Sequence, residues 1–407
     1  MFRRFPMPQS LRLPDKWPLR ALFLSACGIY LGTWLGYYLF SRGLDPAPGP
    51  ISQALINWDA KWYIDIASQG YSYVPHAPFG QNIIFFPLYP AMIKVLSLIL
   101  PFSMPALGIG LAIFCGILSI FLFRQLADHW LAPQGAAFAT FSYALYPAAA
   151  FFISAYPTAL MNCLALATLL ALSKRRQLEA ALWAGMGTAA GPLMVFFSLG
   201  IWFIIARQNW VEWEASQRLQ SALKSIGLGF VACSGLFVFM IYQWWQFKTP
   251  LAFVIAHGPY IGSLSPVQKI LHILELYPLW GGDYLPLLHS LTLQPTALNP
   301  ARSVYFLMNA ITLLCAVYVL RILWRERQWA FMVSSLSVLL AYLWFQGAAQ
   351  GPVSTYRLLY VDIPLFLAAG WAYQSHEKSL WPRWLLGAEW TALMLQAALF
   401  ISGHWAF

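Results

Sequence analysis

Long apolar runs separated by short polar or basic stretches dominate this chain. They fall at residues 19–40, 104–126, 134–155, 157–173, 178–190, 192–207, 226–246, 302–323, 329–346, 357–374 and 384–403. A helix needs about 20 apolar residues to cross a bilayer, and backbone in lipid must satisfy its own hydrogen bonds. The pattern predicts an all-α, polytopic bundle of about 11 spans. Gly191-Pro192 interrupts one stretch, which reads either as two short helices or as one long broken helix. The run at 84–100 is apolar enough to compete as a further span.

Composition agrees with this pattern. Of 407 residues, 60% are hydrophobic and 9% charged, against roughly 25% charged in a soluble domain. A water-facing surface cannot be built from so few charges. The net charge of +10 does not point to nucleic acid, because the basic residues fall in short loops between apolar runs. Cys27, Cys115, Cys163, Cys233 and Cys315 all lie within apolar runs at spacings that match no metal motif, so they read as small hydrophobes.

Charge also gives direction. With a cytoplasmic N-terminus, seventeen of the 24 Lys and Arg residues fall on the cytoplasmic side and seven on the other, a clear positive-inside bias. Counting 84–100 as a span would turn Lys174-Arg175-Arg176 and Arg321, Arg325 and Arg327 outward, so 86–100 is assigned no crossing. That run therefore reads as a helix at the outer surface. The chain is then one membrane domain, 1–407, with a long first extracytoplasmic loop at 41–103 and a second at 247–301. The first apolar run lacks a small-residue cleavage site and reads as an uncleaved helix. No retrieval signal stands at His404–Phe407, so a bacterial inner membrane is the simpler home, or the endoplasmic reticulum if the source is eukaryotic.

The first loop carries the candidate chemistry. Ile51, Leu55, Trp58, Trp62 and Ile66 recur at helical spacing, predicting one amphipathic helix on the membrane surface that Gly70 stops. Lys61 and Asp65, four apart, are placed to pair. Asp59 has no basic residue three or four positions away within that helix. Such a carboxylate amid aromatics is a candidate proton acceptor, or else an ordinary solvated residue. Arg357, at the outer end of a span and against the charge bias, suits an anionic lipid phosphate or a headgroup anchor. Asp362 lies within an apolar run, and Lys248 and His257 in the second loop are placed for phosphate or sugar contacts. Asp283 reads as a turn residue. No Gly-rich phosphate loop, HExxH or serine elbow is present, and no ligand cluster decides whether a divalent cation takes part.

Trp58-Asp59 with Trp62-Tyr63, Ile66-Ala67 and Gly70-Tyr71 resembles the first-loop signature of the glycosylphosphatidylinositol mannosyltransferase II (PIG-V) family and its bacterial relatives, within the GT-C class. Phe85-Phe86-Pro87-Leu88-Tyr89-Pro90, the block from Tyr242 to Phe253, and Tyr356-Arg357-Leu358-Leu359 with Pro364-Leu365-Phe366 resemble later family blocks in order. The resemblance implies a polyprenyl- or dolichyl-phosphate sugar donor, usually mannose. It also implies a glycolipid or glycan acceptor and inverting transfer on the far side of the membrane. By the same resemblance Asp59 is the catalytic aspartate. Trp58, Trp62, Tyr63, Lys248, His257 and Arg357 are the expected substrate contacts.

Three departures stand out. Thr158 occupies the place of a family glutamate, Gly191 that of a basic residue before Pro192, and Lys248-Thr249 that of Gly-Asp. They keep two rival readings in play: a lipid-linked sugar transporter or flippase, and a catalytically silent subunit of a glycosylation complex.

Overall fold

A computed structural model describes residues 16–40, 51–75, 77, 80–212, 218–261, 265, 267, 300–345, 354–375 and 379–403. Arg3, Arg4, Arg12, Asp283 and most of the second loop lie outside the described residues. Among the described residues there are helices and no strands.

Helix α1 spans Trp17–Leu35 and runs on as a π-helical turn, Gly36–Phe40. The first loop contributes α2 (Ile51–Ala54), α3 (Asp59–Gln69), a 3₁₀ turn at Asn82–Ile84, and α4 (Leu88–Ile99). Then come α5 (Met104–Trp130) and α6 (Pro133–Leu145), the latter followed by a 3₁₀ segment at Pro147–Ile153 bent from it by 63°. Helices α7 (Thr158–Ser173), α8 (Gln177–Thr188) and α9 (Pro192–Glu212) follow. Helices α10 (Arg218–Ala232) and α11 (Ser234–Phe247) meet at 57°, and α12 covers Ala252–Ile261. The last elements are α13 (Pro300–Arg325), α14 (Trp329–Phe345), α15 (Thr355–Leu358), a 3₁₀ turn at Leu359–Val361, α16 (Ile363–Ser375) and α17 (Trp381–Ile401).

Every apolar run of the sequence contains a helix or a bent pair. By length and hydropathy, four helices among the described residues can cross a membrane, or up to 6 if each bent pair is one span. Proline sits in the first turn of α1, α5, α6 and α17, where its missing N–H costs nothing. Gly191-Pro192 separates two helices, α8 and α9. At 12 residues, α4 is about 18 Å long and falls short of the ~30 Å hydrocarbon core.

The membrane helices are apolar on all sides, and Phe23, Tyr30, Phe230, Ile241, Trp244 and Trp245 are exposed. That surface requires lipid as its solvent, so this is an integral membrane protein. Gly28, Gly32 and Gly36 form a small-residue seam on α1 against α17. A Cβ on Gly32 would run into the Met394 carbonyl, and one on Gly36 into that of Ala398.

The first loop differs from the amphipathic helix expected of it. The chain breaks between α2 and α3, where Trp58 adopts φ 58 and ψ −125. Helix α3 buries Ala60, Tyr63, Ile66 and Ala67 and packs against α4 and α5. Lys61 and Asp65 form no ion pair; Asp65 faces the Asn82 amide at 3.5 Å. The helix ends as expected at Gly70, whose φ of 85 favours glycine.

Two hydrogen bonds dock α4. The Leu88 N–H reaches the Ala189 carbonyl at the end of α8 at 2.8 Å, and the Tyr89 hydroxyl reaches the Gly108 carbonyl on α5 at 2.7 Å. A second apolar cluster, built on Ile83, Phe86, Phe239, Ala252 and Ala256, packs α11 and α12 on the Asn82–Ile84 turn.

Candidate active site

Asp59 is the first residue of α3, where the helix dipole favours a carboxylate. The turn before it is clamped from two sides by one phenol. The Tyr156 hydroxyl accepts the Asp59 backbone N–H at 3.1 Å and donates to the Asn57 carbonyl at 3.3 Å. The Asn57 amide donates to the Phe400 carbonyl at 3.4 Å. These contacts hold Trp58 in a left-handed conformation that a bulky residue rarely adopts.

Arg357 enters from α15, 298 residues along the chain. Its guanidinium Nη1 donates to Asp59 Oδ2 at 3.1 Å, with 16% of the arginine side chain and 37% of the aspartate side chain exposed. The Arg357 Cζ lies 5.4 Å from the Tyr156 ring centre and 5.6 Å from that of Phe151, within cation–π range. Its segment also starts on a strained residue, Ser354 at φ 56. A stack of aromatic rings supports it from below: Tyr360 lies over Tyr143 and Tyr146, each at 5.1 Å, and Phe123 continues the column.

Burial, and then the neighbouring Asp59 charge, push the Tyr63 and Tyr156 phenols up from their ordinary value. Both stay neutral, and Tyr156 donates its proton to the Asn57 carbonyl. Burial works against the Arg357 charge, yet Asp59, with Tyr156 and Tyr63 nearby, holds the guanidinium above its ordinary range. The local chemistry is a half-exposed carboxylate, a mostly buried permanent cation, and neutral phenols that hold them in place.

Of the residues singled out by sequence, Trp58, Asp59, Trp62, Tyr63 and Arg357 converge here. Tyr63 is buried against Phe85, Tyr89 and Tyr156, so its ring supports the site from the protein side. Trp62 is half-buried and stacks on Phe85 at 5.9 Å. Trp58, Lys61, Trp62 and Asp65 border an open groove of about 970 Å³, closed on its other side by Ile401–Gly403. Asp59 is not in its wall, although the residues before it, Asn57 and Trp58, are.

The described contacts join neither Lys248 nor His257 to Asp59 or Arg357. Lys248 caps α11 at φ 58, is exposed, and its ammonium donates to the Trp245 carbonyl at 3.3 Å. Burial pushes the His257 imidazole down to about 4, so near neutral pH it carries no charge for a phosphate. Asp362 is fully buried and accepts a 2.6 Å hydrogen bond from Ser335. It ties the hinge between α15 and α16 to α14 and stands apart from the pair. Thr158 is buried at the start of α7, and Gly191 abuts Met161 one turn further along that helix, so two of the three departures fall at one end of α7. Among the described residues no three His, Cys, Asp or Glu side chains gather as metal ligands.

Sequence reasoning missed Tyr156, Phe151 and Asn57 as parts of the site. A signal for Tyr156 existed, since it opens the Tyr-Pro-Thr stretch that follows the bent α6 segment.

The sequence pattern of the mannosyltransferase (PIG-V) family matches residues 47–258, just over half of the chain and inclusive of Asp59. No curated protein sequence matches. Among solved structures, the apo oligosaccharyltransferase of Archaeoglobus fulgidus superposes with a TM-score of 0.50 at 13% identity, over 97% of this chain and 57% of that one. The same enzyme in complex with Zn and sulfate gives 0.50 at 13% identity, over 95% and 53%. ArnT from Cupriavidus metallidurans, bound to undecaprenyl phosphate, gives 0.45 at 13% identity, over 96% and 77%. The chain thus spans little more than half the length of the oligosaccharyltransferase, and at this identity the likeness speaks to fold. The family match, the first-loop geometry and the helical fold agree: the chain belongs to the mannosyltransferase (PIG-V) family.

Proposed function

We propose that this enzyme transfers a sugar, mannose by family habit, from a polyprenyl- or dolichyl-phosphate carrier to a hydroxyl of a glycolipid or glycan acceptor. The observation that carries this reading is the Asp59–Arg357 pair at 3.1 Å, a base and a cation set at the start of α3. Asp59 takes the proton from the acceptor hydroxyl as its oxygen attacks the anomeric carbon. The bond from that carbon to the phosphate oxygen breaks, the phosphate leaves with the electron pair, and the carbon inverts. Arg357 stabilises the departing phosphate.

An in-line displacement puts base and leaving group on opposite faces of the sugar carbon. Arg357 cannot serve the phosphate while it holds Asp59. The pair is therefore the resting arrangement: the donor phosphate takes Arg357, and the Asp59 carboxylate is freed to face the acceptor hydroxyl. Trp58 and Trp62 offer the sugar apolar faces. Charge distribution favours a cytoplasmic N-terminus with the site on the far side. The packing of α12 on the Asn82–Ile84 turn supports one shared face for the loops 41–103 and 247–301.

The test is release of polyprenyl phosphate by protein in lipid nanodiscs, given polyprenyl-phosphate mannose and candidate acceptors. The wild type releases it in step with acceptor glycosylation, and Asp59→Asn does not, at equal expression. Normal turnover by Asp59→Asn would remove Asp59 as the base. A carrier or silent subunit would release no phosphate from any donor.

A further inference from the structure

We propose that the groove beside α3 seats the non-reacting sugars of the acceptor glycan, an inference that rests on the transferase reading above. The groove, about 970 Å³, is at the upper end of the range of small-molecule sites. Its wall carries the half-exposed indoles of Trp58 and Trp62, and the Trp62 ring is braced from behind by Phe85. Between and beside the indoles stand amides, an ammonium and a carboxylate from Gln53, Asn57, Lys61 and Asp65.

This mixture selects the occupant. A sugar presents an apolar ring face to an indole and hydroxyls at its rim to amides and charges. A lipid chain would strip water from the same polar groups and return no hydrogen bond. Lys61 and Asp65 could have paired across one helical turn but do not. The Lys61 side chain is exposed and its ammonium makes none of the described hydrogen bonds or ion pairs, and among them the Asp65 carboxylate meets only the Asn82 amide, at 3.5 Å. Their polar atoms are available to a ligand.

Position fixes which part of the acceptor lies there. The groove reaches Asp59 at the turn between α2 and α3, where Asn57 and Trp58 line it, and the carboxylate is outside its wall. The reacting hydroxyl enters at that end, and the rest of the glycan runs along α3 toward Ser68.

The experiment measures binding apart from transfer. Asp59→Asn protein in nanodiscs is applied to a glycan array, and the best-bound oligosaccharide is then titrated by fluorescence anisotropy. The same is done with Asp59→Asn carrying Gln53→Ala and Lys61→Ala, both exposed positions that leave the fold intact. Saturable binding to an oligosaccharide, weakened about tenfold by the two groove changes, is expected from loss of two hydrogen bonds. Absence of saturable glycan binding, or binding that ignores the groove changes, overturns the inference. If the groove inference fails while Asp59→Asn still abolishes transfer, the transferase reading stands. If Asp59→Asn transfers normally, the catalytic assignment falls whatever the groove binds.

Discussion

Breaking the Asp59–Arg357 pair from each side, and from both, separates the roles assigned to its members. In Asp59→Asn the side chain keeps its shape and an oxygen that accepts from Arg357, and the turn is still held by Tyr156 through the backbone N–H. Two unit charges near 4 Å interact by about 1 kcal/mol in water and about 4 kcal/mol at an effective dielectric of 20. With 37% of the Asp59 side chain exposed, screening puts the pair toward the lower figure, so the stability loss should be about 1 kcal/mol. Arg357→Gln also forfeits the faces of Phe151 and Tyr156, for about 2 kcal/mol in total. The catalytic losses should be larger: about 100- to 10,000-fold for the base and about 100- to 1,000-fold for the cation. If both act on one transition state, the double variant should lose far less than the product of the single losses. Single-turnover release of polyprenyl phosphate in nanodiscs reads the rates, and thermal melting reads the fold. Losses that multiply, or Arg357→Gln within threefold of wild type, would refute the shared role.

Tyr156→Phe keeps the ring over Arg357 but removes both clamp hydrogen bonds. It should cost about 1–2 kcal/mol and speed amide exchange at Asp59, read by hydrogen–deuterium exchange. Gly32→Leu drives a side chain into the Met394 carbonyl, and its thermal midpoint should fall by several degrees. Gly110→Ala, which meets open space, should melt like wild type. His257 has a folded value of about 4 against 6.5 unfolded, so the unfolded chain binds more protons between those values. Stability is complete above about pH 6.5 and declines as pH falls toward 4. His257→Gln should flatten that acid limb in melts across the pH range.

The membrane fold could be read from sequence because its cause is local: apolar runs have no other solvent than lipid, and each run became a helix. Gly191-Pro192, which the sequence leaves as two short helices or one broken one, separates α8 from α9. The site was legible only in its first half. Helical spacing found Asp59 and noticed that it had no cationic neighbour along α3, which is true within the helix. The partner arrives from Arg357, far along the chain, and no periodicity encodes a contact at that separation. Spacing failed also where tertiary contacts override it. The stripe from Ile51 to Ile66 is continuous on paper, but the Tyr156 hydroxyl needs both the Asn57 carbonyl and the Asp59 N–H, and meeting both bends the chain at Trp58. That break sets Asp59 at a helix N-terminus with its carboxylate facing Arg357, where an unbroken helix would have left it mid-surface. The departure from local rules is therefore what makes the site, and the strain at Trp58 and at Ser354 falls next to the two residues on which the proposed chemistry depends.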